Sequence, residues 1–344
     1  MAHQADLELR GLVPKRVESH STMTDSAGHR VLMGEDARLT KEEMRRIRQL
    51  IQVATGLRIV EAESYFVRGV AFHYMQREQE ALAAFDEAIA VQPAFPDAHT
   101  ARGVILAGMG KFEDALAAHD QAIALQPNHG LAHENRGIVL ERLGRYEESL
   151  NAFVTVLSKE PDNTHALFHR GLVYIQLSRL EEALTAFQRV VALTPENAQA
   201  HFLKGEMLER LGRYEEAASA YERAAQLRPN DAHMHFHRAF VLKKLGRHDQ
   251  ALVAWDRVLK LEPNNPAAII NRASTLLALG RNMDALAAYK RGSRLMPDYP
   301  DSYIGQGAIL ATLNRPEQAL QAFNKVITLD PNNFPAHYGR GVCL

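Results

Sequence analysis

The sequence predicts an all-α fold, an α-solenoid of two-helix units stacked in register. Three observations predict it. Eight prolines, Pro93, Pro127, Pro161, Pro195, Pro229, Pro263, Pro297 and Pro331, stand 34 residues apart (127 − 93 = 34). Ten residues after each comes a small residue: Gly103, Gly137, Gly171, Gly205, Ala239, Ala273, Gly307 and Gly341. Twenty-six residues after the first seven prolines a ring recurs: His119, Phe153, Phe187, Tyr221, Trp255, Tyr289 and Phe323. A fixed period of this length marks an array whose units bury their faces only against neighbours.

The elements follow in chain order. Residues 1–39 mix Gly, Ser, His and charge without a period and are expected to be flexible. Thr40 and Glu43 then form a capping box. Met44, Ile47, Ile51 and Ala54 continue at helical spacing to Gly56, which predicts an amphipathic helix over about 41–55, in a connector of 40–61 that covers the open face of the first unit. Eight units are expected at 62–95, 96–129, 130–163, 164–197, 198–231, 232–265, 266–299 and 300–333, and the first helix of a ninth at 334–344. In the unit opening at Thr164, Leu167, Gly171 and Tyr174 line one helix face and Ala183, Phe187 and Val190 line the next. Turns such as Leu143-Gly144-Arg145 and Leu245-Gly246-Arg247 close the first helix with a left-handed Gly. The proline ends the second helix, and Asn or Asp after it (Asn230-Asp231, Asn264-Asn265, Asn332-Asn333) caps the next one.

In its period, its two helices and its small-Gly-aromatic-Ala-Phe-Pro order, the chain resembles the tetratricopeptide repeat family over residues 62–344. The resemblance implies a right-handed superhelix whose first helices line a concave face that takes extended peptides. Departures are mild: the large aromatic early in the first helix is Tyr65 and Tyr303, but elsewhere His99, His133, His201, His235, His337, Leu167 or Ile269. The Lys/Asn clamp with which some members hold a C-terminal carboxylate is missing, since those positions hold Phe66, Val70, Ala101, Leu131 and Asn135.

Composition narrows the function classes. Forty basic and forty-one acidic residues leave a net charge of −1, which argues against nucleic acid or an anionic membrane as the partner. The single cysteine, Cys343, cannot build a disulfide framework or a cysteine metal site within one chain. Neither a signal peptide nor a membrane span is visible, so a cytoplasmic protein is expected. Catalytic motifs are missing: His133-Glu134 lacks the second histidine of HExxH, having Gly137 there, and Gly110-Lys111 is not a P-loop. No cofactor, metal or catalytic residue is expected.

Sixteen histidines remain to be explained. Five (99, 133, 201, 235, 337) sit in the early aromatic position, as packing residues with a hydrogen bond to spare. His165/His169 and His233/His237 are spaced i, i+4, as zinc ligands can be, yet nothing at obvious spacing completes either pair. A basic series, Arg68, Arg102, Arg136, Arg170, Lys204, Arg238, Arg272 and Arg340, is broken only by Gln306. It reads either as an anion track or as structural pairs with Asp86, Asp120, Glu222 and Asp256; its uniformity favours the pairs.

Binding residues should instead differ between units. On the first helices the varying stripe is His165, Phe168, Leu172; then Phe202, Glu206, Arg210; then His233, Phe236, Phe240, Lys244, with His169 and His237 beside it. Phe rings among His, Arg and Lys suit a protein segment with apolar anchors and acidic groups. The expected protein is therefore a non-enzymatic scaffold or adaptor, and loss of Phe168, Phe202 and Phe236 is expected to abolish capture while sparing the fold. A second expectation is the recognition region of a longer enzyme, glycosyltransferase-like, because the chain stops inside a helix at Arg340-Gly341-Val342-Cys343-Leu344. That uncapped end is also expected to permit self-association.

Overall fold

A computed structural model describes residues 62–344, together with a short antiparallel ribbon in which β1 (Thr22–Thr24) pairs with β2 (Arg30–Leu32). The expected capping helix, with its Thr40–Glu43 box, lies outside the described residues. The chain divides into two compact units, residues 1–177 and 178–344.

The first unit carries α1 (Ala62–Tyr74), α2 (Glu78–Val91), α3 (Pro96–Gly108), α4 (Phe112–Leu125), α5 (Gly130–Arg142), α6 (Tyr146–Lys159) and α7 (Thr164–Gln176). The second carries α8 (Leu180–Leu193), α9 (Ala198–Arg210), α10 (Tyr214–Leu227), α11 (Ala232–Lys244), α12 (His248–Leu261), α13 (Pro266–Ala278), α14 (Asn282–Leu295), α15 (Pro300–Thr312), α16 (Pro316–Leu329) and α17 (Phe334–Cys343). Within each unit every helix packs on the one before it and the one after it. This is the all-α stack that the period requires.

Local chemistry sets the boundaries. Asn163, Asn197, Asn265 and Asn333 accept from the amides of Ala166, Ala200, Ala268 and Ala336 at 2.9, 2.9, 2.9 and 3.2 Å, and Asp231 accepts from the His233 amide at 3.1 Å. Each bond satisfies one of the four amides that a helix start leaves unpaired. At the other end Gly144 (φ 72°) lets the Arg145 amide return to the Leu140 carbonyl at 2.9 Å. The same left-handed turn position holds Gln76, Ser178 and Asn314 in three repeats, with φ of 58°, 57° and 55°. Sequence alone marks the turn only where it is glycine.

The core is one contact repeated. At Gly69, Gly103, Gly137, Gly205 and Gly307 the recurring ring lies against the small residue of its own first helix: a Cβ on Gly137 would fall 2.8 Å from Phe153, and one on Gly69 would fall 2.6 Å from Phe85. Phe153, Phe187, Tyr221 and Trp255 are fully buried, so truncating any of these rings to Ala would cost about 3–5 kcal/mol. Ser149, which replaces the usual Ala, is also fully buried and donates its hydroxyl to the Gly137 carbonyl at 2.7 Å. The five early histidines each bond the carbonyl of the proline six residues back (His99 to Pro93, 2.9 Å; His133 to Pro127, 3.0 Å; His201 to Pro195, 3.0 Å; His235 to Pro229, 3.1 Å; His337 to Pro331, 2.8 Å). Tyr303 makes the same bond to Pro297 through its hydroxyl, at 3.0 Å. The spare hydrogen bond thus ties these six first helices, α3, α5, α9, α11, α15 and α17, to the loops that precede them.

Candidate binding surface on the first helices

Off-period residues collect on the first helices, and those of the two units are taken separately. In the second unit, α9 and α11 meet through rings. Phe202 is 5% exposed, with His233 at 4.8 Å, His237 at 5.1 Å and Tyr221 at 5.4 Å between ring centroids. Phe236 is half-buried with its edge on Trp255 at 4.9 Å. Phe240 is half-buried and carries the Lys244 ammonium 5.5 Å from its centroid. Arg210, His233 and Lys244 are exposed.

Charge on this surface is organised from below. Glu209 accepts the Tyr221 hydroxyl at 2.7 Å and faces His237 Nδ1 at 3.6 Å. Burial pushes the Tyr221 phenol up, and its bond to Glu209 pushes it further, so it stays a donor. Burial raises the Glu206 carboxyl above the usual range although His237 and Arg210 pull it down. Burial and the neighbouring Lys244 lower the Lys243 ammonium, which donates to Asn271 Oδ1 at 3.1 Å.

In the first unit, α7 carries a related arrangement. His169 is 4% exposed, bonds Glu141 Oε2 through Nδ1 at 2.9 Å and stacks on Phe153 at 6.0 Å. His165 lies 4.9 Å from His169 between centroids and bonds Glu134 through Nδ1. Burial raises the Glu134 carboxyl, but hydrogen bonds from His165 and Asn163 and the charge of both histidines outweigh it and hold Glu134 low. Phe168 is 6% exposed and Leu172 is half-buried.

Two sequence expectations change here. Phe168 and Phe202 are core rings, so removing them would damage the fold; the half-exposed rings on this surface are Phe236 and Phe240. Carboxylates do stand beside both histidine pairs, at a spacing that a search along one helix does not test: 169 − 141 = 28 and 237 − 209 = 28. They come from the preceding first helix. Glu141 and Glu209 each open the octapeptide ERLGRYEE, which the chain contains twice, 68 residues apart (209 − 141). Among the described residues no group of three or more His, Cys, Asp or Glu is placed to hold a metal ion.

The basic series is paired at its acids. Arg102, Arg136 and Arg272 reach Asp86, Asp120 and Asp256 at 2.6 Å each, and Arg238 reaches Glu222 at 3.2 Å. Arg68 pairs with Glu87. In the four pairs of Arg102, Arg136, Arg238 and Arg272 the acid stands sixteen residues before its cation (102 − 86), and at Gln306, where the cation is missing, that position is Lys290. Such pairing neutralises the track at these positions. Among the described residues no helix is long and apolar enough to cross a membrane.

Comparison with known proteins agrees with this architecture. A family model described as tetratricopeptide repeat matches residues 66–128, 100–155, 135–197, 170–232 and 270–334, and a second model of the same description matches 232–265. Among solved structures, the C-terminal part of a repeat-containing protein from Cytophaga hutchinsonii is 18% identical over 69% of this chain and 97% of that one, with a TM-score of 0.59. PilF of Pseudomonas aeruginosa is 19% identical over 62% and 94%, with a TM-score of 0.53. YrrB, described as a protein with an unusual peptide-binding site, is 21% identical over 56% and 99%, with a TM-score of 0.52. At these identities the likeness is one of fold. No curated protein matches the chain in sequence. Period, hairpin geometry and family models together establish that this chain belongs to the tetratricopeptide repeat family.

Proposed function

We propose that the chain is a non-enzymatic scaffold that holds an extended or helical protein segment on the first-helix face of its second unit, across α9 and α11. One observation carries the reading. In-phase residues fill the core, while the off-phase Arg210, His233, Phe240 and Lys244 are left exposed or half-exposed on neighbouring helices. Half-exposed rings beside cations fit a segment with apolar anchors and acidic groups. Rigid helices fix the anchor spacing in advance, so the ordering cost falls on the peptide. His165 and Leu172 on α7 offer the first unit a smaller surface of the same kind, with His169 and Phe168 beneath it.

The test is selection of random displayed peptides on the purified chain, followed by titration of a synthetic winner. Convergent peptides with aromatic or aliphatic anchors and Asp or Glu are expected. Their affinity should fall at least tenfold (about 1.4 kcal/mol) in Phe240→Ser/Lys244→Glu, with the melting temperature retained. Peptides that bind this variant as well as the parent would remove the assignment.

A further inference from the structure

The second repeat differs from the rest at the centre of its core. Where the other repeats hold Phe85, Phe153, Phe187, Tyr221, Trp255, Tyr289 or Phe323, it holds His119. The imidazole is 0% exposed, and neither ring nitrogen has a hydrogen-bond partner in the protein. It lies flush on α3, so close that a Cβ on Gly103 would fall 2.5 Å from the ring. A neutral imidazole carries one donor and one acceptor, and leaving both unpaired in an apolar slot is already costly. A protonated ring would bring a second donor and a full charge into the same space.

Surrounding charges do not relieve this. Asp120 on the same helix favours protonation, but its carboxylate is engaged by Arg136 of α5 at 2.6 Å. Arg136 and His129, which stands just ahead of α5, both oppose protonation. On α3 the charged groups point to other partners, Asp97 to His129 at 3.0 Å and Arg102 to Asp86 at 2.6 Å. Burial dominates.

We propose that His119 makes the second repeat an acid-opened joint: protonation expels the ring from its slot on Gly103 and unseats α3 from α4. Neighbouring repeats in this unit depend on that hairpin for their own packing, because stability in such arrays passes through nearest-neighbour contacts. No separate ligand is needed; the proton is the ligand.

Burial pulls the His119 imidazole down to about 4 from an ordinary value of 6.5. The unfolded chain therefore binds this proton more readily than the fold does. The associated stability is fully present above about pH 6.5 and is lost progressively as pH falls towards 4. From pH 7.5 to 4.5 linkage raises the opening equilibrium by roughly 70-fold.

Hydrogen exchange of the full chain at pH 7.5 and 4.5, corrected for the intrinsic rate, tests the proposal. Segments within 96–142 should lose protection by roughly 70-fold more than segments within 214–329. His119→Phe, with the ring used at the same position in other repeats, should remove that excess. His119→Tyr provides a second filling of the slot, as at Tyr221 and Tyr289. The proposal fails if 96–142 is no more acid-sensitive than 214–329, or if either folded variant opens at pH 4.5 as the parent does.

Discussion

Gly205→Ala tests the central contact of the repeat at a site where two effects oppose each other. Alanine in the middle of a helix is favoured over glycine by about 1 kcal/mol, so on propensity alone α9 should gain. Space says otherwise. The new Cβ would lie 2.8 Å from Tyr221 Cδ1, 2.8 Å from Cε1 and 3.1 Å from Cγ, two of them closer than real Cβ contacts come. Nor can the ring swing away, because it is fully buried and its hydroxyl is held on Glu209 at 2.7 Å. Overpacking of this kind costs about 1–3 kcal/mol, and a pinned ring places the cost in the upper part of that range. Subtracting the propensity gain leaves a net loss of about 1–2 kcal/mol. The urea midpoint, followed by circular dichroism, should fall by about 0.5–1 M at the usual slope for a domain of this size. In a Tyr221→Leu background the penalty should largely disappear, giving a coupling of about 1 kcal/mol or more. A midpoint that stays level or rises in Gly205→Ala would refute the reasoning, for it would mean that helix propensity and not ring contact sets this position.

Other outcomes follow from the same geometry. Asp120→Ala breaks the half-exposed pair with Arg136 and should cost at most about 1 kcal/mol, the difference shrinking in 1 M salt; a larger, salt-insensitive loss would show a buried structural role. Glu134 is held low by His165 and Asn163, so its share of stability is present above the ordinary carboxylate pKa and lost as pH falls through the lower folded value. Glu134→Gln should therefore flatten the acid side of the stability curve, and an unchanged acid limb would contradict that pairing.

Much of the fold was legible because the physics repeats. A proline every 34 residues, a small residue under each ring and an Asn or Asp ahead of α7, α9, α11, α13 and α17 predict the hairpins. The turns at Gln76, Ser178 and Asn314 were less legible, since a polar residue can adopt a left-handed φ without announcing it. The binding surface was harder still. Periodicity places Phe202 and Phe240 on the same stripe, yet Phe202 is walled in by Tyr221, His233 and His237 while Phe240 keeps part of its face open. That difference depends on neighbouring helices, and no single-helix pattern contains it. The same holds for Glu141 and Glu209, whose partners lie 28 residues on. The paired octapeptide therefore marks the elbow of two repeats, and its leading glutamate also orients a histidine of the following first helix.

Site-specific photocrosslinking with a selected peptide tests the central claim most directly. A benzoylphenylalanine placed at Phe240, half-buried on α11, should capture the peptide, and the same probe at Val253, 67% exposed on α12, should not. Capture at Val253 with none at Phe240 would place recognition on the second helices and contradict the account.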